Sequence, residues 1–332
     1  MEPTIQAAAQ TYISTALSLH YSPQTQIAYG QALSLFHVFL RTQRGINPDA
    51  TTIDRMHIEW GIEFVKHLQQ TRSIETEHLY SRALLHFYQH IRDFYQIPLN
   101  VEQLEEAFSH LRRPKPHHIP DIPLDAIKAV IDRAQNYIPT TPLDPSQERN
   151  YLRLLRDRAF LLMLADTGLR ISEICNLRRH HVNNAEQLLH ITPDLSLHLP
   201  KRVTHALHMY LSARHKMDSN QRLLPSEHLP LYARHDKRAG KHVLPISRWT
   251  GANIIDYWVS QTLPPDKQVE LTKPEQTITP HTFRHYFVLM TLTETGDITT
   301  TRSLARHKDP ATTRRYIQSL RGLGKALGEK HR

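Results

Sequence analysis

Residues 112–120 read Arg112-Arg113-Pro114-Lys115-Pro116-His117-His118-Ile119-Pro120. The three prolines forbid a regular helix, because each fixes φ and lacks an N–H donor, and the three fixed cations hold the stretch in water. This is the best domain boundary in a chain of 332 residues, a length that suggests two domains. It separates a domain over 1–111 from one over 123–332, with a basic proline-rich linker over 112–122. The charge also divides there. Residues 1–111 hold 7 Lys/Arg against 11 Asp/Glu and residues 112–332 hold 34 against 21, so the formal +9 is made of −4 and +13. A polyanion would meet mainly the second part.

Toward the N-terminus the pattern is helical. Ser22-Pro23 supplies an N-cap and a first-turn proline, and Ile27, Leu33, Phe36 and Leu40 follow at helical spacing. A second helix is expected after Thr51 or Thr52, with Ile58, Ile62, Val65 and Leu68 on one face. A third follows Ser73, carrying Leu84, Tyr88 and Ile91, and a short one covers about 101–111. These stripes predict a bundle of four or five helices. Beyond the linker, helices are expected over 124–137, 150–166, 171–177, 203–214, 249–261, 280–294, 298–305 and 311–320, with Gly168 placed as a C-terminal cap. Residues 188–191 and 197–199 predict a short β-hairpin, and 225–245 a loop-rich basic insertion. The fold class is mainly α with a small β-sheet: an N-terminal helical bundle and a mixed α+β second domain.

Several classes are excluded. No run reaches the roughly 18 apolar residues of a membrane span, and the N-terminus lacks a basic region followed by an apolar stretch, so a cytoplasmic protein with no membrane partner is expected. The single Cys175 rules out an internal disulfide and a Cys-rich zinc module. The 10 glycines form neither GxxxxGK[ST] nor GxGxxG, so no nucleotide cofactor is expected. The 24 histidines include no HExxH. His281 and His285, four apart, would make half a zinc site, but Arg284 and Arg306 nearby would repel a cation, and no metal is expected.

Four segments of the second domain carry the chemistry: Thr167-Gly-Leu-Arg170-Ile-Ser-Glu173, Pro280-His281-Thr-Phe-Arg284-His-Tyr, Leu304-Ala-Arg-His307 and Thr312-Thr-Arg314-Arg315-Tyr316. In order and spacing they resemble the tyrosine recombinase (phage integrase) family, and Ser22-Pro-Gln-Thr25 with Tyr29, Leu33 and Phe36 is similar to its helical core-binding domain. The resemblance spans nearly the whole chain. It implies a site-specific DNA recombinase of the DNA breaking-rejoining fold, whose two domains close around double-stranded DNA, working as a homo-tetramer on DNA and as a monomer free in solution. The tail after Tyr316 would dock on a neighbouring protomer.

The residue chemistry fits that implication. Arg170 and Arg284 present planar, permanently charged donor forks to two non-bridging phosphate oxygens. His307 could donate a third hydrogen bond, and His281, one turn from Arg284, could accept the nucleophile's proton. Tyr316 would attack phosphorus and leave a protein–DNA ester, which conserves the phosphodiester energy without ATP or metal. Glu173 would hold Arg170 in place. Arg112, Arg113, Lys115, Arg314 and Arg315 are candidate DNA contacts. Two departures stand out: residues 1–111 are acidic, and residues 185–200 hold none of the hairpin lysine that the family uses as proton donor. Lys201 is the candidate substitute, with Lys237, Lys241, His190 and His198 as alternatives.

Overall fold

Helices form where apolar side chains recur at three and four and a polar cap precedes them. The computed structural model describes residues 2–18, 21–114, 122–142, 144–192, 194–219, 226–239, 242–265, 277–307, 309–314 and 316. The chain divides into two compact units, Met1–Pro116 and His117–Arg332.

In the first unit, α1 (Ile5–Tyr12) runs on into a π-helical turn, Ile13–Leu17, and is followed by α2 (Pro23–Gln43), α3 (Ile58–Thr71), α4 (Ile74–Tyr95) and α5 (Val101–Leu111). The Ser22 and Ser73 hydroxyls cap α2 and α4 by accepting from the Thr25 and Thr76 N–H groups. Phe36, Phe64, Phe87 and Tyr88 meet in the core. Three expectations are corrected. Ile27 is 54% exposed, and the buried stripe of α2 starts at Tyr29, Ala32 and Leu33. The helix expected after Thr51 or Thr52 is delayed by a 3-10 turn, Ile53–Arg55, which buries Ile53 before α3 begins. Helix α1, with Ile5, Ala8, Ala9 and Tyr12 inward and Thr4 as cap, precedes the first helix assigned from sequence.

The second unit is built around α7 (Glu148–Thr167), whose stretch 159–165 is buried on every side. Helices α6 (Leu124–Asn136), α9 (Lys201–Ser219), α10 (Arg248–Thr262) and α11 (Pro280–Thr295) pack against it. Short α8 (Ile171–Cys175) follows the Gly168 turn, and α12 (Ile298–Ala305) follows α11. Gly251 lets α10 close on α8, because a Cβ there would press on Ile171 and Cys175. The sheet is antiparallel in the order β1 (Val182–Asn183), β2 (Leu188–Thr192), β3 (Leu195–His198). The expected hairpin is present, but Thr192 pairs with Leu195, so its turn is tighter than the sequence suggests, and β1 is an added strand.

The insertion over 225–245 is more than a surface loop. Leu229, Leu231, Tyr232 and Ala233 are buried, and the Arg214 guanidinium, itself buried, donates to the Pro230 and Leu231 carbonyls at 2.9 and 3.0 Å. Residues 310–314 and 316 are helical, and the rest of the helix expected over 311–320 lies outside the described residues. Among those residues no helix is long and apolar enough to cross a membrane.

Candidate active site

Helix α7 ends at Gly168, whose φ of +55° lies in the left-handed region and turns the chain toward Arg170. A Cβ at Gly168 would overlap the Phe287 ring of α11. Gly168→Ala is therefore expected to cost about 2–4 kcal/mol, combining left-handed strain with overpacking, as a lowered thermal midpoint would show. The Gly168 carbonyl accepts from Arg284 Nη1 at 2.6 Å and from Arg306 Nη2 at 3.1 Å. One turn thus draws two guanidiniums from distant segments beside a third.

Arg170 caps α8. Its N–H donates to Glu173 Oε2 and its Nη1 to Glu173 Oε1, both at 2.8 Å, yet its side chain stays 47% exposed. Glu173 therefore holds Arg170 while leaving the guanidinium open to a ligand. Arg284 is placed differently. It projects from α11 with 3% exposure, donating also to the Ala305 carbonyl at the end of α12. Burial first, then the charges of Arg170 and Arg306, pull its pKa down to about 10, so it remains charged at neutral pH.

Tyr316 is 2% exposed and packs on Val288, Leu289, Leu292 and Ala305. Its ring lies nearly parallel to that of His307, with centroids 6.2 Å apart. His307 Nδ1 shares a 2.9 Å hydrogen bond with the buried Thr313 hydroxyl, which leaves Nε2 for a ligand. The Tyr316 hydroxyl meets His285 Nδ1 rather than His281. His281 sits next to His285, ring centroids 4.4 Å apart, on the exposed side of α11. Burial pushes the Tyr316 phenol up to about 12, against a pull from Arg284, and pushes the His285 and His307 imidazoles down to about 4. Desolvation, then Arg284 and Arg170, lowers His281 as well. In this arrangement the phenol keeps its proton and the imidazoles are neutral at pH 7.

The five residues Arg170, His281, Arg284, His307 and Tyr316 thus lie around one site. Sequence reasoning missed two others. His285 was weighed only as half of a zinc pair, although its place beside Arg284 put it on the same helix turn. Arg306 entered only as a repelling charge, although it directly precedes His307. Among the described residues no three His, Cys, Asp or Glu side chains gather as a metal site.

The remaining candidates scatter. Lys201 is exposed at the start of α9, and the next residue, Arg202, donates from Nε to Asp166 near the end of α7 at 2.7 Å. That pair sets Lys201 beside the turn carrying Arg170. His190 Nδ1 is bonded to Ser196 at 2.8 Å, while His198 and Lys237 are exposed. Arg314 is exposed on the last helical segment. Arg113 is ion-paired with buried Glu77 and donates to the Arg72 carbonyl at 2.9 Å, and Arg112 lies 3.4 Å from His78. Arg113 is thereby a strut of the first unit, not the free linker cation expected from sequence. Lys115, Lys241 and Arg315 lie outside the described residues.

The chain belongs to the phage integrase family of tyrosine recombinases, which it matches over residues 147–321. It is 24% identical over 320 residues to the tyrosine recombinase XerC of Pelobacter propionicus, covering 95% of this chain and 91% of that one. It is 26% identical over 314 residues to the XerC of Lacticaseibacillus casei, covering 93% and 92%. In fold it is similar to the XerH site-specific recombinase in a post-cleavage complex with palindromic difH DNA (TM-score 0.64, 13% identity, 98% and 84% covered). It is likewise similar to a λ integrase dimer bound to a core site (TM-score 0.58, 13% identity, 94% and 95% covered).

Proposed function

We propose that this protein is a site-specific DNA recombinase that cuts and rejoins double-stranded DNA through a 3′-phosphotyrosyl intermediate on Tyr316. The observation that carries this reading is the meeting of Arg170, Arg284, His281 and His307 around a single tyrosine. Arg170 and Arg284 would hold the non-bridging oxygens of the scissile phosphate, and His307 Nε2 would add a donor. The charge that builds on phosphorus is then met by groups fixed in advance. The phenol must leave its buried position to reach a phosphate, and contact with the guanidiniums would favour its ionised form. The ester stores the energy of the broken bond, so religation needs neither ATP nor metal. Four protomers would pair two sites, each chain being monomeric off DNA, and a nucleoid-associated, cytoplasmic place follows from the substrate. Arg314 and Arg315 beside the nucleophile, together with Arg112 and Lys115, are the proposed backbone contacts.

The departing 5′ oxygen needs a proton. Neither β2 nor β3 holds a lysine, and Lys201 is the nearest lysine in sequence after them. Lys201→Ala is expected to slow cleavage about 10²–10⁴-fold. Sulfur in place of the 5′ bridging oxygen leaves without a proton and should restore the variant. No rescue would place the acid elsewhere. The lysine-free hairpin also favours a second reading, a DNA-binding member of the fold that has lost turnover. A pool of nicked duplexes, whose short product diffuses away and traps the intermediate, separates the two. A denaturant-stable protein–DNA complex supports the recombinase, and tight binding without adduct supports the binder.

A further inference from the structure

Arg306 ends α12 with φ +54°, a left-handed conformation uncommon for residues other than glycine. Its side chain is only 12% exposed and folds back under the Gly168 turn. Nη1 donates to the Leu304 carbonyl at 2.9 Å, Nη2 lies 3.5 Å from Glu173 Oε2, and the buried Nε has no partner among the described residues. Glu173 is thus shared by two arginines, since its Oε1 already receives Arg170 Nη1. Arg170, Arg284 and Arg306 face this one carboxylate, and the neighbouring imidazoles are neutral. Three guanidiniums against one carboxylate leave two positive charges. A phosphodiester carries one negative charge, and the phosphorane formed when a phenolate attacks it carries two.

We infer that Arg306 is a third cation of the phosphate pocket, a positioning residue that acts through Glu173 and Arg170 rather than by touching the substrate. With Arg170 as its only partner, Glu173 would close an ion pair against which a phosphate must compete. Shared with Arg306, the carboxylate still orients Arg170 but neutralises it less, so more of its charge is left for phosphate. A left-handed backbone at a non-glycine residue is the kind of local strain that gathers at functional sites. The inference rests on the phosphate-clamp reading of Arg170 and Arg284 and extends it to a residue outside the recognised motifs.

Arg306→Gly tests it, because glycine suits this backbone and removes the charge. The full chain carrying it should melt within about 3 °C of the unaltered protein, relief of the left-handed turn offsetting the lost hydrogen bonds. Inorganic phosphate should stabilise the unaltered protein against heat, with about tenfold weaker apparent affinity in Arg306→Gly. Adduct formation on nicked duplex should slow about 10–100-fold, with the duplex concentration giving half-maximal rate little changed. Arg306→Lys, which keeps the charge, should recover most of both effects. Wild-type phosphate affinity and adduct rate in Arg306→Gly would overturn the inference. So would a lysine variant as impaired as the glycine variant, or an unaltered protein indifferent to phosphate. Phosphate binding that weakens in Arg306→Gly while no duplex is ever captured would sink the recombinase reading and leave this one standing.

Discussion

A protein carrying Tyr316→Phe will bind duplex DNA as the unaltered chain does and form no covalent complex with it. The expected loss is about 10⁴-fold or more, since removal of a nucleophile leaves only the binding contribution to catalysis. Little else should change. The phenylalanine ring keeps the contacts with Val288, Leu289 and Leu292, and only the hydrogen bond to His285 is lost, worth roughly 1 kcal/mol. A denaturing gel after incubation with nicked duplex gives the first quantity, and a thermal melt gives the second. Persistence of the adduct in Tyr316→Phe would assign the nucleophile to another residue.

The two clamp arginines should separate from each other. Arg170→Ala removes an exposed side chain held by one carboxylate, so the fold should hold within about 1 kcal/mol while adduct formation falls about 10²–10³-fold. Arg284→Ala should abolish the adduct and also destabilise the second unit by about 3–5 kcal/mol. It empties a buried site and leaves the Gly168 and Ala305 carbonyls without this donor. From sequence alone both variants are expected to lose chemistry while keeping DNA binding. The burial of Arg284 changes that expectation for one of them. Melting curves for the two variants, compared at equal protein concentration, decide between the readings. Equal stability of the pair would contradict the strut role given to Arg284.

The difference between those arginines shows what the sequence could and could not reveal. Motif order and spacing were enough to put Arg170, His281, Arg284, His307 and Tyr316 forward, because catalytic groups sit at fixed offsets from helix turns and caps. Spacing along a chain carries no information on burial, so it could not tell an exposed arginine from one closed under a glycine turn. The partner of the phenol was out of reach for a related reason. His281 and His285 are one turn apart on α11, and only the approach of the segment carrying Tyr316 decides which of them the hydroxyl meets. Helix stripes were legible wherever a cap and a three–four period coincided, as after Ser22 and Ser73. They failed at Ile27, where the first turn of α2 precedes the part that packs, and after Thr52, where a 3-10 turn intervenes. The insertion over 225–245 read as loop because its buried residues lack any period. What anchors Tyr232 and its neighbours is a buried arginine on α9, a contact between segments that no local pattern records.

All of this depends on one bond between protein and DNA. Digesting the trapped complex and sequencing its nucleotide-bearing peptide by mass spectrometry locates that bond. The expected result is a single modified residue, Tyr316, esterified to a 3′ phosphate. An ester on a different tyrosine, or on a 5′ phosphate, would contradict the account.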